Sequence, residues 1–139
     1  PMGVDAMLEG VDLVRDGKAP KIVQDESKQT YEGWCRKADA EVDWSKPTAE
    51  VYNLIRGTNP QPGAWTMHDG KVLQIFDSAA SDATGGAPGE VIAIDETGIT
   101  VAAAGGAVLV KRVRPDGDKK IAAGEFVTAS GLAVGAKFG

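Results

Sequence analysis

Val4, Met7, Leu8, Val11 and Val14 recur at intervals of three and four, which places them on one stripe of a helix ending at Asp16-Gly17, where glycine supplies a left-handed cap. Asp5, Glu9, Asp12 and Asp16 fall on the opposite, solvated side. Such a stripe needs a surface to cover, either this same domain or a neighbouring segment of a longer chain. From Lys18 to Asp43 the periodicity fades. Pro20, the polar run Asp25-Glu26-Ser27 and Gly33 read as an extended connector. Ile22, Tyr31, Trp34, Val42 and Trp44 are too apolar for a free tether and are expected to pin it at several points.

Helical spacing returns at Val51, Leu54 and Ile55, so Thr48 to Arg56 is predicted as a helix with these three buried, capped by Ser45, with Pro47 in the first turn and Gly57 as its end. Asn59-Pro60-Gln61-Pro62-Gly63 is a rigid turn leading into a strand at Ala64 to Met67. Beyond it the pattern is almost entirely that of strands: Lys71 to Phe76 after the hairpin signal Asp69-Gly70, Val91 to Ile94, Ile99 to Ala102 after Glu96-Thr97-Gly98, and Ala107 to Val113 after Gly105-Gly106. Asp77 to Gly89 lacks both apolar alternation and β-branched density and is predicted as a long mobile loop. Ala122 to Ala129 reads as a short helix burying Phe126, followed by Leu132, Val134 and Phe138 as a closing strand or tail. The fold expected is mainly β, a small antiparallel barrel with one packed helix, and too few βαβ alternations exist for a doubly wound sheet.

At 139 residues the chain has room for one modest domain, and 18 glycines with 7 prolines suit short elements joined by turns. Fifteen basic and 20 acidic side chains give a net charge of -5, a whole-chain field that repels nucleic acid and anionic membranes except at local patches. The N-terminus lacks the pattern of a signal peptide, no stretch is long and apolar enough to cross a bilayer, and a lone Cys35 fits a reducing cytoplasm, so a cytoplasmic protein is expected. Opening at Pro1 directly before a helix, the sequence reads as a piece of something longer.

Candidate chemistry is sparse. His68, the single histidine, is expected as a surface turn residue beside Asp69-Gly70, and Cys35 as a buried or incidental thiol, although Arg36 and Lys37 adjoin it. Gly85-Gly86 and Gly105-Gly106 lack phosphate-loop spacing and precede no helix, and no histidine or cysteine cluster offers a metal its ligands. The strongest charge concentration is Lys111, Arg112, Arg114, Lys119 and Lys120, around the turn Arg114-Pro115-Asp116-Gly117-Asp118. Strand alternation would put Arg112 and Arg114 on one face and Lys111 with Val113 on the other. Three roles fit the cluster: a solubilising edge, a surface for a nucleic-acid backbone, or interdomain ion pairs, with Asp116 and Asp118 offsetting part of its charge.

The block WSKPTAEVYNLIRGTNPQPGAWT, Trp44 to Thr66, resembles the signature of the C-terminal domain of folate-dependent formyltransferases. The resemblance continues through Pro88-Gly89-Glu90-Val91, the Gly98 strand, the Gly105-Gly106 hairpin and Asp116-Gly117 with Lys119-Lys120, as far as Gly124-Glu125-Phe126. Tyr31-Glu32-Gly33, Arg56-Gly57 and Gly63-Ala64-Trp65-Thr66 are similar to the 10-formyltetrahydrofolate dehydrogenase or hydrolase branch. Trp44-Ser45-Lys46-Pro47 and Asn59-Pro60 are similar to the methionyl-tRNA formyltransferase branch, where Gln61 replaces a usual tryptophan.

The resemblance implies an open Greek-key barrel like an oligonucleotide-binding (OB) fold at 44–139, an interdomain linker at 18–43, and at 1–17 the last helix of a preceding catalytic domain. It places 10-formyltetrahydrofolate and the catalytic asparagine, histidine and aspartate on that other domain, so no catalytic, cofactor-binding or metal residue is expected here and this chain alone should be inactive. Two roles follow from it. One is an accessory domain bracing the catalytic domain of a formyltransferase or hydrolase. The alternative is a tRNA-binding domain positioning initiator methionyl-tRNA for N-formylation. Under either, Lys111, Arg112, Arg114, Lys119 and Lys120 are the contact residues toward RNA or the neighbouring domain.

Overall fold

The computed structural model describes residues 2–139, which divide into a unit ending at Gly33 and a unit running from Trp34 to Gly139. In the first, α1 (Met2–Arg15) ends as its glycine predicts: Gly17 has φ +68, its N–H donates to the Val14 carbonyl and that of Lys18 to Leu13, satisfying carbonyls the helix leaves open. No residue of α1 is buried, and its apolar stripe, including Met7, Leu8, Val11 and Val14, faces solvent. A single 3-10 turn follows at Glu26–Lys28, where Asp25 accepts hydrogen bonds from the N–H and hydroxyl of Ser27.

The expected pinning of the connector holds only at its far end. Ile22, Tyr31 and Trp34 are exposed, whereas Val42 and Trp44 are buried. The difference lies in backbone pairing. The Val42 N–H donates to the Trp65 carbonyl, and the Trp44 indole donates to the Thr66 hydroxyl at 3.0 Å.

In the second unit, α2 (Thr48–Gly57) buries Val51 and Ile55 against β1 (Ala64–His68), β2 (Lys71–Ser81) and β5 (Gly106–Pro115), with Leu54 only partly covered at the margin. Pro47 occupies the cap position, and the Ser45 hydroxyl bonds to Asp43 instead of capping the helix. The helix runs through Gly57 to a cap at Thr58, whose hydroxyl returns to the Leu54 carbonyl. β3 (Val91–Asp95), β4 (Gly98–Ala103) and β6 (Ile121–Ala122) complete the strands, and α3 (Ala123–Ser130) buries Ala123 and Phe126.

The strands form one antiparallel sheet in the order β1-β2-β5-β4-β3, with β6 paired to β5. This corrects the expected Greek-key barrel: the sheet is open, because β1 and β3 stand at opposite edges without pairing. The C-terminal tail engages both edges. Gly135 N–H donates to Val91, Phe138 N–H to Gly89 and Gly139 N–H to Met67, while the Phe138 ring packs 6.3 Å from that of Trp44. Alternation along a strand specifies which face is buried; it does not specify whether the last strand meets the first.

Part of the predicted mobile loop is strand. Ser78 to Ser81 pair with Val110 to Ala107, so β2 extends five residues past Phe76 on hydrogen bonds that its own small side chains do not advertise. Two register shifts near Phe76, Asp77 and Lys111 bend this pair. Leu132 and Phe138 are buried and Val134 is exposed, so the C-terminus is a tail rather than a strand.

Candidate nucleic-acid interface

The five predicted cations gather where β5 leaves the sheet, turns at residues 115–118 and returns as β6. Val113 pairs with Ile75 on β2 and Ile121 on β6 and is fully buried, which anchors the strand under the surface. Lys111 and Arg112 are both exposed. Strict alternation would have paired Lys111 with Val113, and the register shifts overturn that: Asp77 faces Arg112 while Ser78 faces Val110, leaving Lys111 as the extra residue.

Phe76 is the residue that sequence reasoning missed. It is skipped by the ladder between Ile75 and Asp77 and is 6% exposed, and it carries two cations over its ring. The Lys120 Nζ stands 3.6 Å from the ring centroid and the Arg114 guanidinium 5.5 Å. Gly63 makes room for this packing. A Cβ there, on a backbone at φ +82, would come within 3.1 Å of both the Gln74 amide and the Phe76 ring. The Asn59 amide donates to the Phe76 carbonyl at 2.8 Å, fixing the strand from the other side. Gly63 precedes β1 whereas Phe76 lies on β2, so only the register of the two strands brings them together.

Gln74 lies opposite Arg114 in the ladder and its side-chain oxygen accepts from both Nε and Nη2 of the guanidinium. Its amide nitrogen donates to the Pro62 carbonyl at 3.1 Å. Arg114 is therefore held by a neutral acceptor and keeps its full charge. Among the described residues none of the five cations forms an ion pair, with Asp116 and Asp118 included. A local positive surface thus stands on a net acidic chain.

The remaining candidates fall outside this cluster. His68 is the last residue of β1 rather than the hairpin tip, which Asp69 (φ 48) and Gly70 (φ 73) form. This corrects its placement as a surface turn residue: the side chain is 11% exposed, lies edge-on 5.6 Å from Phe126 and 5.4 Å from Phe138, and its buried Nδ1 has no hydrogen-bond partner among the described residues. Its Nε2 is 3.6 Å from Asp69. Cys35 is exposed. Gly105 sits in the β4–β5 turn, and Gly85 and Gly86 in the loop before β3. Among the described residues no group of three or more histidine, cysteine or acidic side chains converges to hold a metal, and no helix is long and apolar enough to cross a membrane.

The C-terminal domain model of the formyl transferases matches residues 35–131, well over half of the chain. The chain belongs to this family. It is 36% identical over 138 residues to the methionyl-tRNA formyltransferase of Geotalea daltonii and 39% identical over 140 residues to that of Symbiobacterium thermophilum. Each alignment takes in 99% of this chain, but only 44% and 43% of the relative. Among solved structures, HypX from Aquifex aeolicus in complex with tetrahydrofolic acid superposes with a TM-score of 0.72 at 21% identity, over 94% of this chain and 23% of that one, a likeness of fold. Membership in a C-terminal domain family supports an accessory place within a larger formyltransferase-type polypeptide.

Proposed function

We propose that this chain is the RNA-holding C-terminal part of an enzyme that formylates the amine of initiator methionyl-tRNA. The observation that carries the reading is the full-chain similarity to proteins named methionyl-tRNA formyltransferase, since 99% of the chain aligns at 36% and 39% identity, connector included. The cluster of Lys111, Arg112, Arg114, Lys119 and Lys120 supports it independently. Arg114 is half-buried and the others are exposed, and cations without carboxylate partners are free to meet phosphates. In the parent enzyme the methionyl nitrogen would attack the formyl carbon of 10-formyltetrahydrofolate, the bond to the folate nitrogen would break, and tetrahydrofolate would leave. Those atoms would be handled by a catalytic domain preceding 18–43, with 1–17 as its last helix. This chain's part is to fix the RNA so that the amine arrives in register.

Equilibrium binding of initiator tRNA to the 139-residue chain, titrated from about 50 to 200 mM salt, tests the reading. Affinity falls with salt, and replacing all five cations by glutamine lowers the slope of log affinity against log salt by about 0.7 to 0.9 for each phosphate left without its cation. Absence of binding, or binding unchanged by the five substitutions, removes this reading and leaves the chain as a brace for the catalytic domain.

A further inference from the structure

We propose that Gln74 is a positioning residue that presents Arg114 to an RNA phosphate, and that Lys37, from the connector, contacts the RNA across the same cleft. The proposal rests on the RNA-binding reading and extends it to two residues outside the basic cluster. Lys37, Pro62, Gln74, Arg114 and the turn at Asp116 and Asp118 line one cavity of about 520 Å³. Two cations thus converge from distant parts of the sequence on a space of nucleotide size.

The hydrogen-bond pattern separates positioning from mere contact. The Gln74 amide is satisfied at both ends, by the Pro62 carbonyl and by the guanidinium, so it has one orientation that serves both partners. Arg114 spends Nε and one Nη2 hydrogen on Gln74 and keeps its remaining N–H donors for a ligand. A glutamate in that place would cancel the charge and could not donate to the Pro62 carbonyl; glutamine serves both partners and leaves the charge intact. Phe76 beneath the guanidinium limits its remaining freedom. Ordering the longest cationic side chain before the ligand arrives lowers the entropy lost on binding.

Lys37 is fixed in a comparable way. It opens the 3-10 turn Lys37–Ala40, its carbonyl accepts the Trp65 indole N–H at 2.7 Å, and its ammonium stands 5.7 Å from the Trp65 ring centroid. Backbone and side chain are therefore both tied to β1. Asp116 and Asp118 line the same cavity and their carboxylates repel a phosphate, so the anion is drawn toward Lys37 and Arg114.

A double-mutant cycle on the 139-residue chain, with initiator tRNA as the probe, tests both assignments. Gln74→Met weakens binding about 2- to 12-fold, the cost of ordering one long side chain, without changing the salt slope, because no charge is removed. The effect disappears in an Arg114→Met background, which a general structural defect at Gln74 would not do. Lys37→Met lowers the slope by about 0.7 to 0.9. If the chain binds tRNA and both single variants match the wild type, or if Gln74→Met costs as much without Arg114 as with it, the inference is wrong and the RNA-binding reading stands. If no variant and no wild-type chain binds tRNA, both fall together.

Discussion

Ile55 is 1% exposed and packs among Val51, Leu73 and the core strands, while Leu54 beside it is only partly covered. Replacing Ile55 by alanine is therefore expected to cost about 2 to 5 kcal/mol, and replacing Leu54 roughly half as much, both read from urea unfolding. The three-and-four spacing named the stripe correctly but could not grade its members, since grading depends on where the sheet edge ends. His68 teaches the same lesson in reverse. Next to Asp-Gly it looks like turn chemistry, and only the later arrival of Phe126 and Phe138 buries its ring. At the surface, Asp95 accepts bonds from the hydroxyl and N–H of Thr97, which hold its carboxyl below the ordinary carboxylate range. A depressed native pKa stabilises the fold above the unfolded value and ceases to do so as pH falls through the native one. The stability difference between wild type and Asp95→Asn is thus expected to be full at neutral pH and to shrink below about pH 4. A difference that grows in acid would contradict this.

Among the elements, the strands and α2 were legible because their apolar periods are strong, and the hairpin at Asp69-Gly70 because a two-residue turn demands those residues. The end of β2 was not legible, since Ser78, Ala79, Ala80 and Ser81 acquire strand geometry from β5 rather than from their own preferences. Nor was the open sheet. The tail that engages both edges has no period of its own, and its place depends on a close approach at Gly89. A Cβ at Gly89, with φ +84, would lie 2.3 Å from the Phe138 carbonyl oxygen. Gly89→Ala is expected to dislodge the tail, with hydrogen exchange rising at Val91, Phe138 and Gly139 ahead of the interior of β5. Uniform protection across the tail in that variant would show that the contact is not what seats it.

On the scale of the whole molecule, a chain of net charge -5 gathers Lys111, Arg112, Arg114, Lys119 and Lys120 in one place, and the proposed RNA partner depends on that unevenness. The cluster itself was visible in the sequence; Phe76, Gln74 and Lys37 were not, because they join it only through the register of β1, β2 and β5 and the fold of the connector. The single histidine has its ring against Phe126 and Phe138, and Cys35 is exposed. Incubated alone with 10-formyltetrahydrofolate, the chain is expected to release no tetrahydrofolate above a buffer blank, and turnover surviving replacement of His68 would reveal a site elsewhere. The most direct test of the central claim is residue-resolved: backbone amide shifts of the 139-residue chain during titration with initiator tRNA. The account predicts that perturbations concentrate at Lys37, Gln74, Phe76 and residues 111–120 and fade as salt rises. Perturbations centred on α2 or on β3 and β4, with residues 111–120 silent, would contradict it.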